Sequence, residues 1–495
     1  MIRGTEMDQN RMPLFEALCR YQHKNPVSFH VPGHKNGLLI EPLLKESASF
    51  LQYDATELSG LDDLHHAEGA IQEAQDLLAA YYGSEKSYFL VNGSTVGNLA
   101  MILSVCRPGD RVLVDRNCHQ SVLHALRLAR ANPVFVFPEI DKERQMPAGF
   151  SERLFVQAFR KYRDVKACIL TYPTYYGITY DLRAVADIAH QNGAYVLVDE
   201  AHGAHFQIGS PFPETALHQG ADAAVQSAHK MLPAMTMGSF LHIRAPHFPF
   251  ERLGFYLSAL QSSSPSYPIM MSLDYARWYA ANFSREDICY TLTQREQFSA
   301  RLSKMLKWEK KEGQDPLKLL ATLPGLSGFK LQSVLEGAGV YTEMADLQRV
   351  VFVLPLLKNG MPFPYEDAAR RIEAALSGVS PQAENESLLK RVEQKQASGY
   401  SRMETAGLDV LHRLTELHLA YDEMEEKEVE WVSFAEAKGR IAAKMVTPYP
   451  PGVPLLVPGE QVRDAHIYQI QQLRACGARF HADAPFFENR LAVYK

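Results

Sequence analysis

Apolar residues recur with a helical period at Ile71, Ala74, Leu78 and Tyr81/Tyr82, which predicts a helix over 71–82 stopped by Gly83. A short strand follows at 87–91, then the small-residue turn Asn92-Gly93-Ser94-Thr95 and a helix over 96–105. The alternation continues, with strands expected at 111–114, 134–137, 167–172, 194–198, 221–225 and 238–243 and helices at 150–163 and 182–191. Strands and helices in turn predict an α/β fold, a mainly parallel sheet with helices on both faces. Weaker signals flank this region. They predict a short helix over 13–21, a helix over 271–306 in one or two pieces, and a buried strand over 350–356.

Composition narrows the class without naming it. The 495 residues are 46% hydrophobic and 22% charged, as in ordinary globular proteins. A net charge of −6 and a pI near 6.3 offer no electrostatic case for nucleic acid. No window approaches the ~18 apolar residues of a membrane span, and the polar start, residues 1–10, has no secretory apolar region. Six scattered cysteines form no CxxC pair, which fits a reducing, cytoplasmic compartment and speaks against a disulfide framework or structural zinc. The acids and histidines of 54–66 follow no recognised ligand spacing, so no metal is expected. The acidic run 422–430 reads as a solvated helix face. Residues 377–407 mix Ser, Gly, Glu, Gln and Lys around one Pro and read as a connection between subdomains. The run 449–454 is too Pro-rich for a helix or a central strand.

Chemistry concentrates at predicted strand ends, where open α/β sheets bind ligands. Asp199 ends the 194–198 strand and leads into Glu200-Ala201-His202; Ser227-Ala228-His229-Lys230 follows the 221–225 strand. Lysine is the side chain that forms Schiff bases, and pyridoxal phosphate carries an aldehyde, a phosphate and a ring nitrogen that wants an acid partner. Asp199 can pair with that nitrogen, since a carboxylate beside a cation favours the charged form. Ser94, Thr95 and Ser227 can bond the phosphate at a helix N-terminus, although Ser94 or Thr95 could equally be a plain helix cap. His119 can stack on the ring or merely cap a helix. Ala201 is small enough for the ring to lie against, and His202 and His229 are left for the phenolic oxygen, the phosphate or proton transfer. Singly these signals are weak, because a buried lysine pair is more often structural; their order along one α/β region is what gives them weight.

The chain resembles the compact bacterial ornithine/lysine/arginine decarboxylases, pyridoxal-phosphate enzymes of fold type I in the aspartate-aminotransferase-like superfamily. The resemblance rests on Phe29-His30-Val31-Pro32-Gly33-His34-Lys35, Asp54-Ala55-Thr56-Glu57-Leu58, Leu61-Asp62-Asp63-Leu64, Asn92-Gly93-Ser94-Thr95-Val96-Gly97-Asn98 and Asp115-Arg116-Asn117-Cys118-His119-Gln120-Ser121. Asp199-Glu200-Ala201-His202-Gly203, Ser227-Ala228-His229-Lys230, Tyr341-Thr342-Glu343-Met344-Ala345-Asp346, Pro450-Pro451-Gly452-Val453-Pro454 and Pro458-Gly459-Glu460 extend it over nearly the whole chain.

The resemblance implies Lys230 as the Schiff-base lysine, Asp199 as partner of the ring nitrogen, His119 as the stacking ring, and Ser94, Thr95 and Ser227 as phosphate ligands. It implies an obligate homodimer or higher homo-oligomer with shared active sites, in which Ser262 and its neighbours reach the partner's phosphate. His229 or Lys230 is then the acid that returns a proton to Cα. A basic substrate wants carboxylates at its distal end, and Glu343, Asp346 and Glu460 are the candidates. Arginine, giving agmatine and CO2 for polyamine biosynthesis, is the first expectation, because compact relatives include arginine decarboxylases. Lysine giving cadaverine and ornithine giving putrescine stay open. The implied layout is an N-terminal segment over 1–60 packing on the large domain and the dimer partner, a cofactor domain over 61–310, and a smaller C-terminal α+β part over 311–495. Long enteric members carry an extra N-terminal domain resembling a response regulator. The motifs here begin near residue 29, so neither that domain nor assemblies built through it are expected. An aminotransferase would share the fold and Lys230, but it usually shows an Asn-Pro turn where this chain has Tyr172-Pro173-Thr174. A non-catalytic pyridoxal-phosphate-binding protein is the remaining alternative.

Overall fold

Most of the strand-to-helix switches expected between residues 70 and 243 occur. The computed structural model describes residues 7–41, 44, 49–141, 143–379, 414–449 and 452–495. After α1 (Pro13–His23) come α2 (Ala70–Tyr82), β1 (Lys86–Leu90), α3 (Gly93–Val105), β2 (Arg111–Asp115), α4 (Gln120–Ala129) and β3 (Asn132–Val136). A short hairpin, β4 (Glu139–Asp141) and β5 (Met146–Gly149), precedes α5 (Glu152–Lys161), β6 (Val165–Thr171), α6 (Leu182–Gln191) and β7 (Tyr195–Asp199). Then follow β8 (Ala223–Gln226), α7 (Ala228–Met231), β9 (Ser239–Ile243), α8 (Phe250–Leu260), α9 (Tyr267–Ala281) and α10 (Arg285–Leu302).

The chain forms two compact units, one of residues 1–106 with 193–283 and one of 107–192 with 284–495. In the first unit four strands lie in the order β1-β9-β8-β7. β7 and β8 are parallel with Asp199 opposite Val225, so Asp199 and Ser227 emerge at the same edge. β9 runs antiparallel to both β8 and β1. β7 and β8 are buried along nearly their whole length, which explains their unbroken apolar runs. α3 packs tightly on this sheet. A Cβ on Gly97 would collide with Val225 and stand 2.7 Å from Leu90 Cδ1, so glycine is what lets the helix start reach the strand ends. α2 buries Ile71, Ala74, Leu78 and Tyr82 and ends at Gly83, whose φ of +66° is glycine territory. Its first turn is capped from outside, with the Asp62 carboxylate accepting from the amides of Gly69 and Ile71 at 2.8 and 3.0 Å.

In the second unit β6, β2 and β3 are neighbours in that order and parallel. A separate antiparallel sheet is built from β10 (Lys307–Glu309), β11 (Lys318–Thr322), β12 (Met344–Ala345) and β13 (Arg349–Val353), in the order β10-β11-β13-β12. β14 (Leu414–Glu416) adds antiparallel to β3. β15 (Val429–Ser433) pairs with Arg490–Tyr494 over a small core that includes Phe434, Ile470, Phe486 and Val493. The α/β class with smaller C-terminal antiparallel sheets is as expected.

Several local expectations shift. The stretch 271–306 is two helices broken after Ala281, because Ser284 and Asp287 form a capping box that starts α10 afresh. α3 begins at Gly93, so Ser94 and Thr95 sit inside its first turn rather than at the cap position, which is Asn92. α4 and α8 are helices the apolar spacing did not single out. In the acidic run only Tyr421–Glu426 is helical, and Asp422 and Glu425 pair with Arg130 at 3.2 and 3.6 Å. Residues 380–407 of the expected connection, with Pro450 and Pro451, lie outside the described residues.

Candidate active site

The first unit gathers most of the residues expected to hold the cofactor, His119 excepted. β8 ends at Gln226, and the chain turns at once into the single helical turn α7, which carries His229 and Lys230. The Lys230 amine Nζ lies 3.2 Å from His202 Nε2. An ammonium can only donate, so the imidazole nitrogen accepts and the His202 hydrogen sits on Nδ1. The Ser227 hydroxyl lies 2.8 Å from the Ser94 hydroxyl in the first turn of α3. The Asp199 carboxylate is 4% exposed and doubly held, by Asn98 Nδ2 at 2.9 Å and by the Ala201 amide at 3.1 Å. His229 Nδ1 donates to the Gly238 carbonyl at 2.9 Å, which leaves Nε2 as the nitrogen that can gain or release a proton. Ala201 is buried beside these groups.

The remaining candidates have other surroundings. Thr95 is exposed on the first turn of α3. Ser262 is exposed, its carbonyl 2.9 Å from His65 Nε2 and its hydroxyl accepting from the Ser264 amide. His119 belongs to the second unit. It caps α4, its Nδ1 accepting from the Ser121 amide at 3.2 Å and lying 2.8 Å from the Ser121 hydroxyl. Its ring faces Gly452, where a Cβ would come within 3.2 Å of Cδ2. Glu460 is 9% exposed and its Oε2 is engaged by Arg116 at 3.0 Å and the Val457 amide at 3.2 Å. Asp346 accepts from the Tyr176 hydroxyl at 2.8 Å and from buried Arg349 at 3.1 Å. Glu343 is exposed.

Sequence reasoning gave no role to Asn98, although it stands one helical turn after Ser94 on α3, a spacing that places both on one face. Nor did it foresee the buried row behind the site. Glu200 is fully buried, which pushes its carboxyl up to about 8, with the Ala216 amide and Gln226 Nε2 donating to it at 2.7 and 2.9 Å. Burial likewise holds His242 down to about 3; in the second unit, apart from this row, burial lifts Asp115 to about 7. A polar residue inside an otherwise apolar strand, such as Gln226 or His242, was the available signal.

The donor set fits pyridoxal phosphate. Lys230 would meet the aldehyde, Asp199 the ring nitrogen, and Ser94 with Ser227 the phosphate at the start of α3. A buried carboxylate fixed by two donors, a lysine beside an imidazole and paired hydroxyls at a helix start are the groups that a pyridoxal-phosphate site on an α/β scaffold would need.

Comparison with known proteins gives the family. The model of the Orn/Lys/Arg decarboxylase major domain matches residues 12–312, and that of the C-terminal domain matches residues 403–492. The chain belongs to the Orn/Lys/Arg decarboxylase family, a family of pyridoxal-phosphate-dependent carboxy-lyases. It is 42% identical over 492 residues to Uncharacterized protein YaaO of Bacillus subtilis, covering 97% of this chain and 98% of that one. It is 30% identical over 479 residues to the arginine decarboxylase of Bacillus subtilis, covering 94% of each. Among solved structures, the constitutive lysine decarboxylase of E. coli shares the fold with a TM-score of 0.78 at 19% identity, over 99% of this chain and 82% of that one.

Proposed function

We propose that this protein decarboxylates arginine to agmatine and CO2, with Lys230 as the lysine that binds the cofactor aldehyde. The observation that carries the site reading is the convergence of Lys230, His202 and Asp199 at neighbouring strand ends of one unit. Arginine is favoured because relatives named arginine decarboxylases match at 30–31% identity over 92–95% of the chain. Those named lysine or ornithine decarboxylases match at 24–26%.

Pyridoxal phosphate, when bound, supplies the electron sink for loss of CO2 from the substrate. The chain's own residues bind, orient and move protons. Asp199 would hold the ring nitrogen protonated, and Asn98 and the Ala201 amide keep its carboxylate aimed. Ser94, Thr95 and Ser227 would hold the phosphate and Ala201 would lie against the ring; a stacking role for His119 and a reach of Ser262 to a partner subunit's phosphate are what the family resemblance implies. His229 Nε2 or the Lys230 amine delivers the proton to Cα, and His202 accepts from Lys230. Of the three acids considered for the distal guanidinium, Glu343 is the exposed one. Asp346 and Glu460 enter this reading as supports, because Arg349 and Arg116 engage them.

The accompanying layout is an N-terminal segment over 1–60, a cofactor domain over 61–310 and a C-terminal part over 311–495. A cytoplasmic homodimer, or a higher homo-oligomer, goes with this reading. It is supported by the exposed apolar side chains Val27, Phe29, Leu38 and Leu39 around the N-terminal motif. Among the described residues no helix is long and apolar enough to cross a membrane.

The purified protein, supplied with pyridoxal phosphate and then with arginine, lysine or ornithine in separate reactions, should release CO2 fastest from arginine and yield agmatine. Faster formation of cadaverine or putrescine overturns the substrate assignment, and a keto acid without CO2 overturns decarboxylation itself.

A further inference from the structure

Behind the site lies a continuous row of buried polar side chains that the roles above do not use. Gln226 Nε2 donates to Glu200 Oε2 at 2.9 Å, and Gln226 Oε1 faces His242 Nε2 at 3.1 Å. His242 Nδ1 faces the Ser87 hydroxyl at 2.7 Å, and Ser87 meets Ser84 at 2.8 Å. The amide oxygen can only accept, so the His242 hydrogen is on Nε2 and the bonds run one way, Ser87 to His242 to Gln226 to Glu200. Glu200, Gln226 and His242 are each 0% exposed and Ser87 is 5% exposed. Polar groups buried this deeply cost stability unless they are bonded. A bonded row tolerates few alternative arrangements, so it specifies one.

The row touches the cradle at three places. Glu200 follows Asp199, and Gln226 precedes Ser227, so fixing the first of each pair fixes where the second emerges. The His242 ring stacks on Tyr82 with centroids 4.2 Å apart, and the Tyr82 hydroxyl donates to the Ala204 carbonyl at 2.6 Å, two residues past His202. Gly203 leaves room for Glu200, since a Cβ there would come within 2.6 Å of its Cγ.

We propose that Gln226 and His242 are positioning residues: the row Glu200–Gln226–His242–Ser87 locks the ends of β7, β8, β9 and β1 in one arrangement and so sets the cofactor-facing positions of Asp199, His202 and Ser227. The inference rests on the cofactor reading of those three residues, and its test separates the two. Apoprotein is titrated with pyridoxal phosphate, following visible absorbance for affinity and visible circular dichroism for orientation of the bound cofactor. Wild type should bind through Lys230, and K230A should lose the borohydride-trappable adduct; failure of that control overturns the cofactor reading. Q226M keeps the length of the side chain and removes both bonds. It should weaken cofactor affinity by roughly 10–100-fold, the range seen when outer partners of site ligands are removed, and change the dichroism of the cofactor that still binds. Ile470→Ala, a cavity variant in the small core of Phe434, Phe486 and Val493, should lower the melting temperature yet keep affinity and dichroism. If Q226M lowers only the melting temperature and binds the cofactor like I470A, the row is structural and the inference falls. Should Q226M not fold, Ser87→Ala removes the far end of the row, its bonds to His242 and Ser84, and leaves the Gln226 bonds in place. A several-fold affinity loss with altered dichroism then supports the proposal, and wild-type binding overturns it.

Discussion

Lys230 Nζ stands 3.2 Å from His202 Nε2, which joins the turn after β8 to the turn after β7. Lys230→Ala should abolish turnover and the borohydride-trappable cofactor together. His202→Asn keeps a polar side chain but cannot relay a proton as imidazole does. It should retain trapping while kcat falls by about 10²-fold or more, the usual range for a proton-transfer group. Wild-type kcat in that variant would remove His202 from proton handling, and turnover in K230A would remove Lys230 from the site.

Asp199 and Asn98 form the second decisive pair, with Asn98 Nδ2 donating to the carboxylate at 2.9 Å. Asp199→Asn removes the charge and preserves the shape. Opposite charge supports a neighbouring cation by about 1–3 pKa units, so kcat should fall at least about tenfold while the protein still folds. Asn98→Ala leaves the charge and removes the aim, so it should lose less. A kcat loss in N98A greater than in D199N would contradict these roles.

Burial raises the Glu200 carboxyl from 4.5 to about 8 and that of Asp115 from 3.8 to about 7. A group raised in the folded state contributes stability that is complete below its unfolded value and is lost as pH rises through the folded one. Stability should therefore decline between about pH 4.5 and 8, with Glu200 contributing a slope of up to about 1.4 kcal/mol per pH unit. His242, lowered from 6.5 to about 3, acts oppositely, its contribution being complete above 6.5 and lost as pH falls towards 3. Urea midpoints of Glu200→Gln across pH 5–8 should show a flatter decline than wild type. An unchanged slope would mean that Glu200 does not titrate in that window.

The three acids considered for the substrate should separate by phenotype. Asp346→Ala strips Arg349, 1% exposed, of one carboxylate partner while Glu309 remains at 2.9 Å. Glu460→Ala strips Arg116 of its carboxylate and leaves it the Pro454 and Leu455 carbonyls. Each should cost about 1–3 kcal/mol, as for a buried donor left short of a partner, read as a lower urea midpoint. Glu343→Ala should leave stability within about 0.5 kcal/mol and raise KM for the amino acid. A destabilised E343A with unchanged KM would reverse the assignment.

The sequence by itself determined much of this molecule. The alternation of apolar runs and amphipathic stretches between 71 and 243 was enough for the α/β class, because a strand's period of two and a helix's of 3.6 are local properties. The motifs around Asp199, Ser227 and Lys230 carried the family, since a lysine, an acid and hydroxyls at strand ends have a chemistry that residue type alone announces. Tertiary structure decided which acids are engaged. Asp346 and Glu460 are both candidate substrate carboxylates along the chain; folding brings Arg116 beside Glu460 from more than three hundred residues away, whereas Arg349 stands only three residues from Asp346. It also placed Asn98 against Asp199, more than a hundred residues away in sequence, and threaded Glu200, Gln226, His242 and Ser87 into one row. Such partnerships depend on which strands lie side by side and in what register. Those are fixed by packing and closure over long separations, which no local pattern encodes.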